Sequence, residues 1–510
     1  MLKNSIFNIF QNINLFTKQN KNLIFLVTIL NIVSYFYFHI HYLMHNHAPK
    51  LWFSSSTTRY EYLSKLIGNI FYNNANLPFI LPLFFSFTSS VLAVYLINCW
   101  SENAKISFVE KTLIALVITL LPMNLVTYYY SYATGLHAIY NFLIIFIIYL
   151  FREKNFFANF FLFASLIAVC FTNTLLFTKI IVIINSLILS EILFKKIFNF
   201  KKILLFFISL VLSFFIFKFY LSLQSQISYA LETKNVLLIF SDLYGVFLAS
   251  LRHLLISQPD ILRIEKNLLL ILTCLGFFSW SIFLLIEKKW RLFILFILFS
   301  LGILLSTKLT SIISTTNINY QYRYNLGLTY FYGFSAFLSI SIFAQFLKKY
   351  VNFKYIIICI LIFLSFKFMQ SNLLRQKVLY IGQQHDLFIM NRVISRIEQL
   401  PELNLDKKYR FVMINDFSRG YRLKLLKKPN TKKWDKAAEG HMDRGNIFDV
   451  WTNGAIFKYL GSNVKVLGGY NPKFKEDIKY IKEKYPELMK FRWPHKKSVF
   501  IEDDKIVVIF

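Results

Sequence analysis

Long apolar blocks alternate with short Lys/Arg clusters along most of this chain, and one large polar segment closes it. Apolar stretches fall at 22–41, 77–98, 112–128, 137–151, 156–174, 175–194, 203–222, 267–287, 292–307, 326–347 and 355–371. A helix rises about 1.5 Å per residue against a hydrocarbon core of about 30 Å, so about 20 apolar residues cross a bilayer. Each block has that length or nearly so, which predicts about eleven transmembrane helices. Charge and polarity return after residue 371. The pattern therefore predicts an all-α polytopic membrane bundle over 1–371 and a soluble α/β domain over 372–510.

Within the polar segment, apolar spacing predicts a helix over Gln384–Leu400, stopped by Pro401. Tyr409–Ile414 and Val464–Leu467 read as strands, and Lys473–Lys490 as a charged amphipathic helix. Ser498–Ile501 and Lys505–Phe510, joined by Glu502-Asp503-Asp504, read as a terminal hairpin.

The basic clusters fix an expected orientation. With Lys3, Lys18 and Lys21 in the cytoplasm, every second connection holds cations: Lys105 and Lys111, Arg152 and Lys154, Lys195 to Lys202, Lys288 to Arg291, and Lys348 to Lys354. Cations accumulate in cytoplasmic loops, so an odd number of spans carries 372–510 to the outer side. The parity depends on the short block 137–151 and on the 156–194 pair, whose turn at Thr172-Asn173-Thr174 has no charge; merging or splitting there would place 372–510 in the cytoplasm. The first span lacks a small-residue cleavage site and reads as a signal anchor.

Composition agrees with this picture. Hydrophobic residues make up 56% of the chain and charged residues 16%. The formal net charge of +31 is not a nucleic-acid signature, because the cations of the first 371 residues mostly flank apolar blocks. Cys99, Cys170, Cys274 and Cys359 all lie in or beside those blocks, so the polar domain has no disulfide to hold it.

Three outer connections are longer than a turn requires, and loops on a rigid scaffold concentrate function. The first, 41–76, contains His41, His45, His47, Lys50, Trp52, Arg59, Tyr60 and Glu61. The second, 223–266, includes Arg252 and His253, and the third, 309–326, holds Tyr320-Gln321-Tyr322-Arg323-Tyr324. Ionisable residues inside blocks are few. Lys179, Lys218, Glu191 and Lys367 stand near block ends, where snorkelling to the interface is the simple expectation, and this weighs against an ion-coupled transporter. His39 and His41 read as interfacial residues around Tyr42. The spacing of His39, His41, His45 and His47 matches no defined metal site, so no metal or cofactor is expected.

The order of parts resembles the GT-C class of membrane glycosyltransferases and, within it, the O-antigen glucosyltransferases of serotype-converting type II. Four places carry the likeness: Thr58-Arg59-Tyr60, the polar turn from Met123 to Tyr132, Gln383-Gln384-His385-Asp386 with Arg392 and Arg396, and the C-terminal run from Trp493-Pro494 to Ile506-Val507-Val508. The resemblance implies transfer of a sugar, in the first instance glucose, on the outer face of a bacterial inner membrane. The donor would be a polyprenyl-phosphate sugar and the acceptor an O-antigen (lipopolysaccharide) or related surface glycan. The chain departs from the family in lacking paired acids in the first outer loop, where His45-Asn46-His47 stands and Glu61 is the single carboxylate.

Such transfer needs a base for the acceptor hydroxyl and cations for the departing phosphate. Glu61 is the candidate base, with His45 or His47 as its replacement. Arg59, Arg252 and Arg323 are candidate phosphate clamps, since a planar guanidinium bonds two oxygens. Tyr60 joins them as a candidate substrate contact. A solvated ion pair of Glu61 with Lys65 or Arg59 is the competing reading, as headgroup contact is for the arginines. A lipid-linked glycan ligase or polymerase, or a non-catalytic transporter or assembly protein, are the alternative functions.

Overall fold

The computed structural model describes residues 2–40, 80–124, 127–128, 131–153, 159–171, 174–195, 199–223, 263–307, 327–345, 351–414, 457, 460–467 and 473–510. These residues are mostly helical, with one small sheet near the C-terminus. They divide into a helical unit that ends at Leu373 and a second unit made chiefly of Leu374–Phe510, to which Ile40, Ser131 and Tyr132 also belong.

The helical unit contains α1 (Leu2–Gln19), α2 (Lys21–Ser34), α3 (Phe36–Ile40), α4 (Ile80–Trp100), α5 (Phe108–Leu120), α6 (Ser131–Arg152), α7 (Phe160–Phe171), α8 (Thr174–Ser190), α9 (Phe200–Leu223), α10 (Arg263–Ile286), α11 (Trp290–Ser306), α12 (Gly327–Gln345) and the first half of α13 (Val351–Glu398). Among the described residues four segments are long and apolar enough to cross a membrane: Ile80–Trp100, Ile264–Ile286, Gly327–Ala344 and Asn352–Lys377. Lys21–Ser34, His137–Arg152 and Trp290–Ser306 are shorter apolar helices. Many large apolar side chains stay exposed, including Phe278, Ile282 and Ile286 on α10 and Ile362 and Phe366 on α13. Apolar faces of that extent suit lipid rather than water.

The helix ends follow local chemistry. The apolar block 22–41 breaks at Tyr35, dividing α2 from α3. The block 112–128 gives a helix only to Leu120, because Leu121 is extended and Pro122 opens a 3₁₀ turn. At the other end of α5, Ser107 and Glu110 form a capping box that closes two terminal backbone groups. The block 355–371 is the start of a 48-residue helix that also contains the expected 384–400 helix.

Helix α12 is the centre of the unit, buried along most of its length, and it packs on α5, α8 and α10. Small residues permit the close approach. A Cβ on Gly333 would stand 2.2 Å from Ile118 Cγ1 of α5, and one on Gly276 of α10 would stand 2.9 Å from the Ser335 carbonyl oxygen. Trp100 and Trp280 fill the layers beside α12, each with its indole N–H satisfied, by Ser186 Oγ at 3.0 Å and the Leu338 carbonyl at 3.2 Å.

One end of this bundle is tied by ions. Arg152, the last residue of α6, and Lys195, after α8, both pair with Glu102 in the α4–α5 turn. Lys202 lies 4.0 Å from Glu191. The buried Glu110, already engaged in its capping box, pairs with Lys354 of α13 at 2.5 Å. Arg152 and Lys195 thus share one carboxylate at this end.

In the second unit, β1 (Arg410–Ile414), β2 (Val499–Glu502) and β3 (Lys505–Ile509) make a sheet of order β1-β3-β2. β1 runs parallel to β3, and β2 and β3 form the expected hairpin around Asp503 at φ 54°. The alternation of β3 divides its side chains. Ile506 and Val508 face Met390, Val393 and Ile397 of α13, whereas Val507 and Ile509 face Ile481 of α14 (Phe474–Lys484). A central strand buried on both faces needs an apolar run, and Ile506–Ile509 supplies it. The expected helix over 473–490 stops at Lys484, shortly before Pro486, with only a 3₁₀ turn at Leu488–Lys490. The segment expected as a strand at Val464–Leu467 makes one parallel bridge, Val466 to Tyr409.

A three-member ion cluster seals one edge of this sheet. Arg410 bonds Asp477 at 2.8 Å and Asp504 at 2.9 Å. The hydrogen bonds from Arg410 hold the Asp504 carboxyl down at about 2, and Arg410 is raised in turn, chiefly by Asp504. Glu502, which accepts from Lys484 and Tyr485, is lowered for the same kind of reason, the Lys484 bond first.

A polar cavity at one end of the helical unit

The end of the bundle opposite the Glu102 cluster is built differently. The N-terminal turns of α4, α6, α8 and α12 meet the C-terminal end of α5 there. Between them lies a cavity of about 20 Å³, room for one or two water molecules. Its walls are Phe85 and Ser89 of α4, Ile118 and Thr119 of α5, Asn124, Thr127, His137 of α6, Lys179 of α8, and Thr329 and Tyr330 of α12.

Lys179 is the chemical centre of this cavity. Its side chain is buried, its ammonium donates to Asn141 Oδ1 at 2.6 Å, and Nζ lies 4.9 Å from the centre of the Tyr330 ring. Asn141 in turn donates to Thr88 at 3.2 Å and Ser89 at 3.0 Å. His137 is buried one helical turn before Asn141. An ammonium, an imidazole and a ring of hydroxyl and amide groups can hold an anionic oxygen or an ordered water, and they can pass a proton. A buried cation is costly in an apolar bundle, and such groups are usually retained for function.

A second buried network adjoins it. Ser86 Oγ lies 2.6 Å from the Tyr128 hydroxyl and 3.2 Å from His39 Nε2, and Tyr128 donates to Asn31 at 3.4 Å. Tyr35 stacks on Tyr128 with ring centres 4.1 Å apart. Asn372 of α13 donates to Ser34 at 2.9 Å and to the Leu120 carbonyl at 2.8 Å. Phe85 separates the two networks, packing edge-on against both Tyr128 and His137.

Two expectations change here. Lys179 does not snorkel: the face of α8 that carries it turns toward α6 and α12, so its head is enclosed rather than led to the interface. His39 is not an interfacial belt residue but is buried against Ser86, and its Nδ1 has no hydrogen-bond partner among the described residues.

The residues singled out in the outer loops, Glu61, His45, His47, Arg59, Tyr60, Arg252 and Arg323, lie outside the described residues. Of the helices that flank them, α4 and α12 begin at the cavity. Sequence reading missed Lys179, His137, Asn141 and His39 as a group. The signal was present in the His137/Asn141 pair at i, i+4 and in the Ser86, Thr88, Ser89, Ser90 run, polar residues placed inside apolar blocks. Among the described residues no three His, Cys, Asp or Glu side chains gather as metal ligands. No family model matches the chain, and neither a curated protein nor a solved structure does.

Proposed function

We propose that this chain is a GT-C-type membrane glycosyltransferase of about eleven spans, which moves a sugar, in the first instance glucose, from a polyprenyl-phosphate donor to O-antigen or a related surface glycan. In this reading the N-terminus is cytoplasmic, the cavity end of the bundle faces the outer side of a bacterial inner membrane, and Leu374–Phe510 is periplasmic. The observation that carries the proposal is the buried Lys179 beside a polar cavity at one end of the helical unit. A phosphate on a lipid reaches a protein at the membrane edge, where a desolvated cation holds it more strongly than water-exposed lysines do. Glu61 remains the candidate base, with His45 and His47 next. Arg59, Tyr60, Arg252 and Arg323 remain candidate donor contacts.

Transfer of radiolabelled glucose from polyprenyl-phosphate glucose in purified membranes tests this. Wild-type activity that collapses in Glu61→Gln supports both class and base. Activity that survives moves the base to His45 or His47. No transfer by folded wild-type protein refutes the donor assignment.

The same cavity favours a second reading, ion- or proton-coupled transport, because buried Lys and His inside a bundle are also what a translocation path requires. Proton uptake by proteoliposomes that disappears in Lys179→Met, with no sugar transfer, selects that reading.

A further inference from the structure

The second unit carries a basic, aromatic patch that the proposed reaction does not use. Arg392 and Arg396 stand four residues apart on α13, which puts their side chains on one face, about 5–6 Å apart at Cβ. Both guanidiniums lie over the same ring, Trp493, at 5.9 and 5.8 Å, and Arg392 also lies 5.8 Å from the Phe388 ring. Trp493 is fixed by its backbone N–H, which donates to the Ile509 carbonyl at 2.7 Å, and by packing on the sheet core. The turn that follows adds exposed His495, Lys496 and Lys497, with His495 stacked on Phe491 at 4.4 Å and Lys497 5.2 Å from the same ring.

Two like charges at i, i+4 repel, and here they are brought to one ring. Among the described residues no carboxylate pairs with either guanidinium; Glu398, the acid nearest in sequence, accepts instead from Ser462. One guanidinium nitrogen, Nη1 of Arg396, is buried and has no hydrogen-bond partner among the described residues. The N–H groups of exposed Arg392 and the outward N–H groups of half-buried Arg396 remain for a planar oxyanion, which would neutralise the pair. Stacking on indole leaves the N–H edge of a guanidinium open to bond two oxygens.

We infer that Arg392, Arg396 and Trp493 form a binding site for the oxyanion of an acidic sugar, a carboxylate or phosphate substituent on a glycan. The choice of a glycan as carrier rests on the glycosyltransferase reading; the oxyanion does not. The site would give the enzyme a preference for acidic glycan.

The test uses the full chain in neutral phosphatidylcholine nanodiscs, titrated with oligogalacturonate and, separately, with neutral dextran of equal length. The expected result is salt-sensitive binding of the acidic oligomer alone. It should weaken at least ten-fold in Arg392→Met and in Arg396→Met, with partial retention in Arg396→Lys, which keeps the charge and loses the fork. Arg392 is exposed, so its variant folds and keeps the test decisive if Arg396→Met does not. Equal binding of both oligomers, or undiminished binding by Arg392→Met, overturns the site. A variant defect seen only with phosphatidylglycerol vesicles, and not with oligogalacturonate, overturns it in favour of lipid headgroups. Acidic-oligomer binding without glucose transfer would leave the site standing and remove the glycosyltransferase reading. Transfer with binding indifferent to the arginines would do the reverse.

Discussion

The two ends of the helical unit solve the problem of polar groups in an apolar bundle in opposite ways. At one end acids meet cations in direct pairs: Glu102 with Arg152 and Lys195, and Glu110 with Lys354. The ends of α4, α5, α6, α8 and α13 are held there, and the charges serve as ties. At the other end Lys179 is held by an amide and an aromatic face, with His137 and several hydroxyls around a small cavity. The pairs at the first end join helix ends, whereas Lys179 lines a polar cavity. The difference separates the end that ties the bundle from the end where the proposed reaction would take place.

That contrast can be broken or sharpened by substitution. The largest effect should come from Lys179→Met, which keeps volume and removes charge: glucose transfer should fall at least a hundred-fold, about 2.7 kcal/mol at the transition state, with the thermal unfolding of the detergent-solubilised protein little changed. Glu110→Gln at the tied end should do the opposite. It leaves Lys354 without its acid while Gln can keep the α5 capping box, costing about 2–3 kcal/mol once partial exposure of the lysine is discounted, measured as a lower unfolding midpoint with transfer per folded molecule preserved. Gly333→Ala should cost about 1–3 kcal/mol by driving a methyl into Ile118, and the same unfolding midpoint reads it. The smallest effect belongs to Asp504. Its folded pKa lies below its ordinary value, so its contribution is present above about pH 4 and is lost as pH falls through about 2. An acid titration of near-ultraviolet circular dichroism should show that loss in the wild type and its absence in Asp504→Asn.

The helical character of the apolar region and the small C-terminal sheet were legible in the pattern of residues, because long apolar blocks suit helices in lipid and Lys505–Phe510 is a short apolar run beside a turn. The terminal hairpin was legible from Glu502-Asp503-Asp504. Helix α1 was not, since Asn and Gln dilute its apolar spacing at Leu2, Ile6, Ile9, Ile13 and Phe16 to low mean hydropathy. The bridge at Val466 escaped because a single pair leaves no period. The cavity was hidden for another reason. Whether Lys179 snorkels or is enclosed depends on which neighbour its helix face meets, and hydropathy along one chain does not carry that.

The most direct test of the account sets the two ends side by side in one assay: transfer of labelled glucose from polyprenyl-phosphate glucose by wild type, Lys179→Met and Glu110→Gln, each normalised to folded protein. The account predicts transfer by the wild type, loss in Lys179→Met and retention in Glu110→Gln. Full activity in Lys179→Met, or equal losses in both variants, would contradict it.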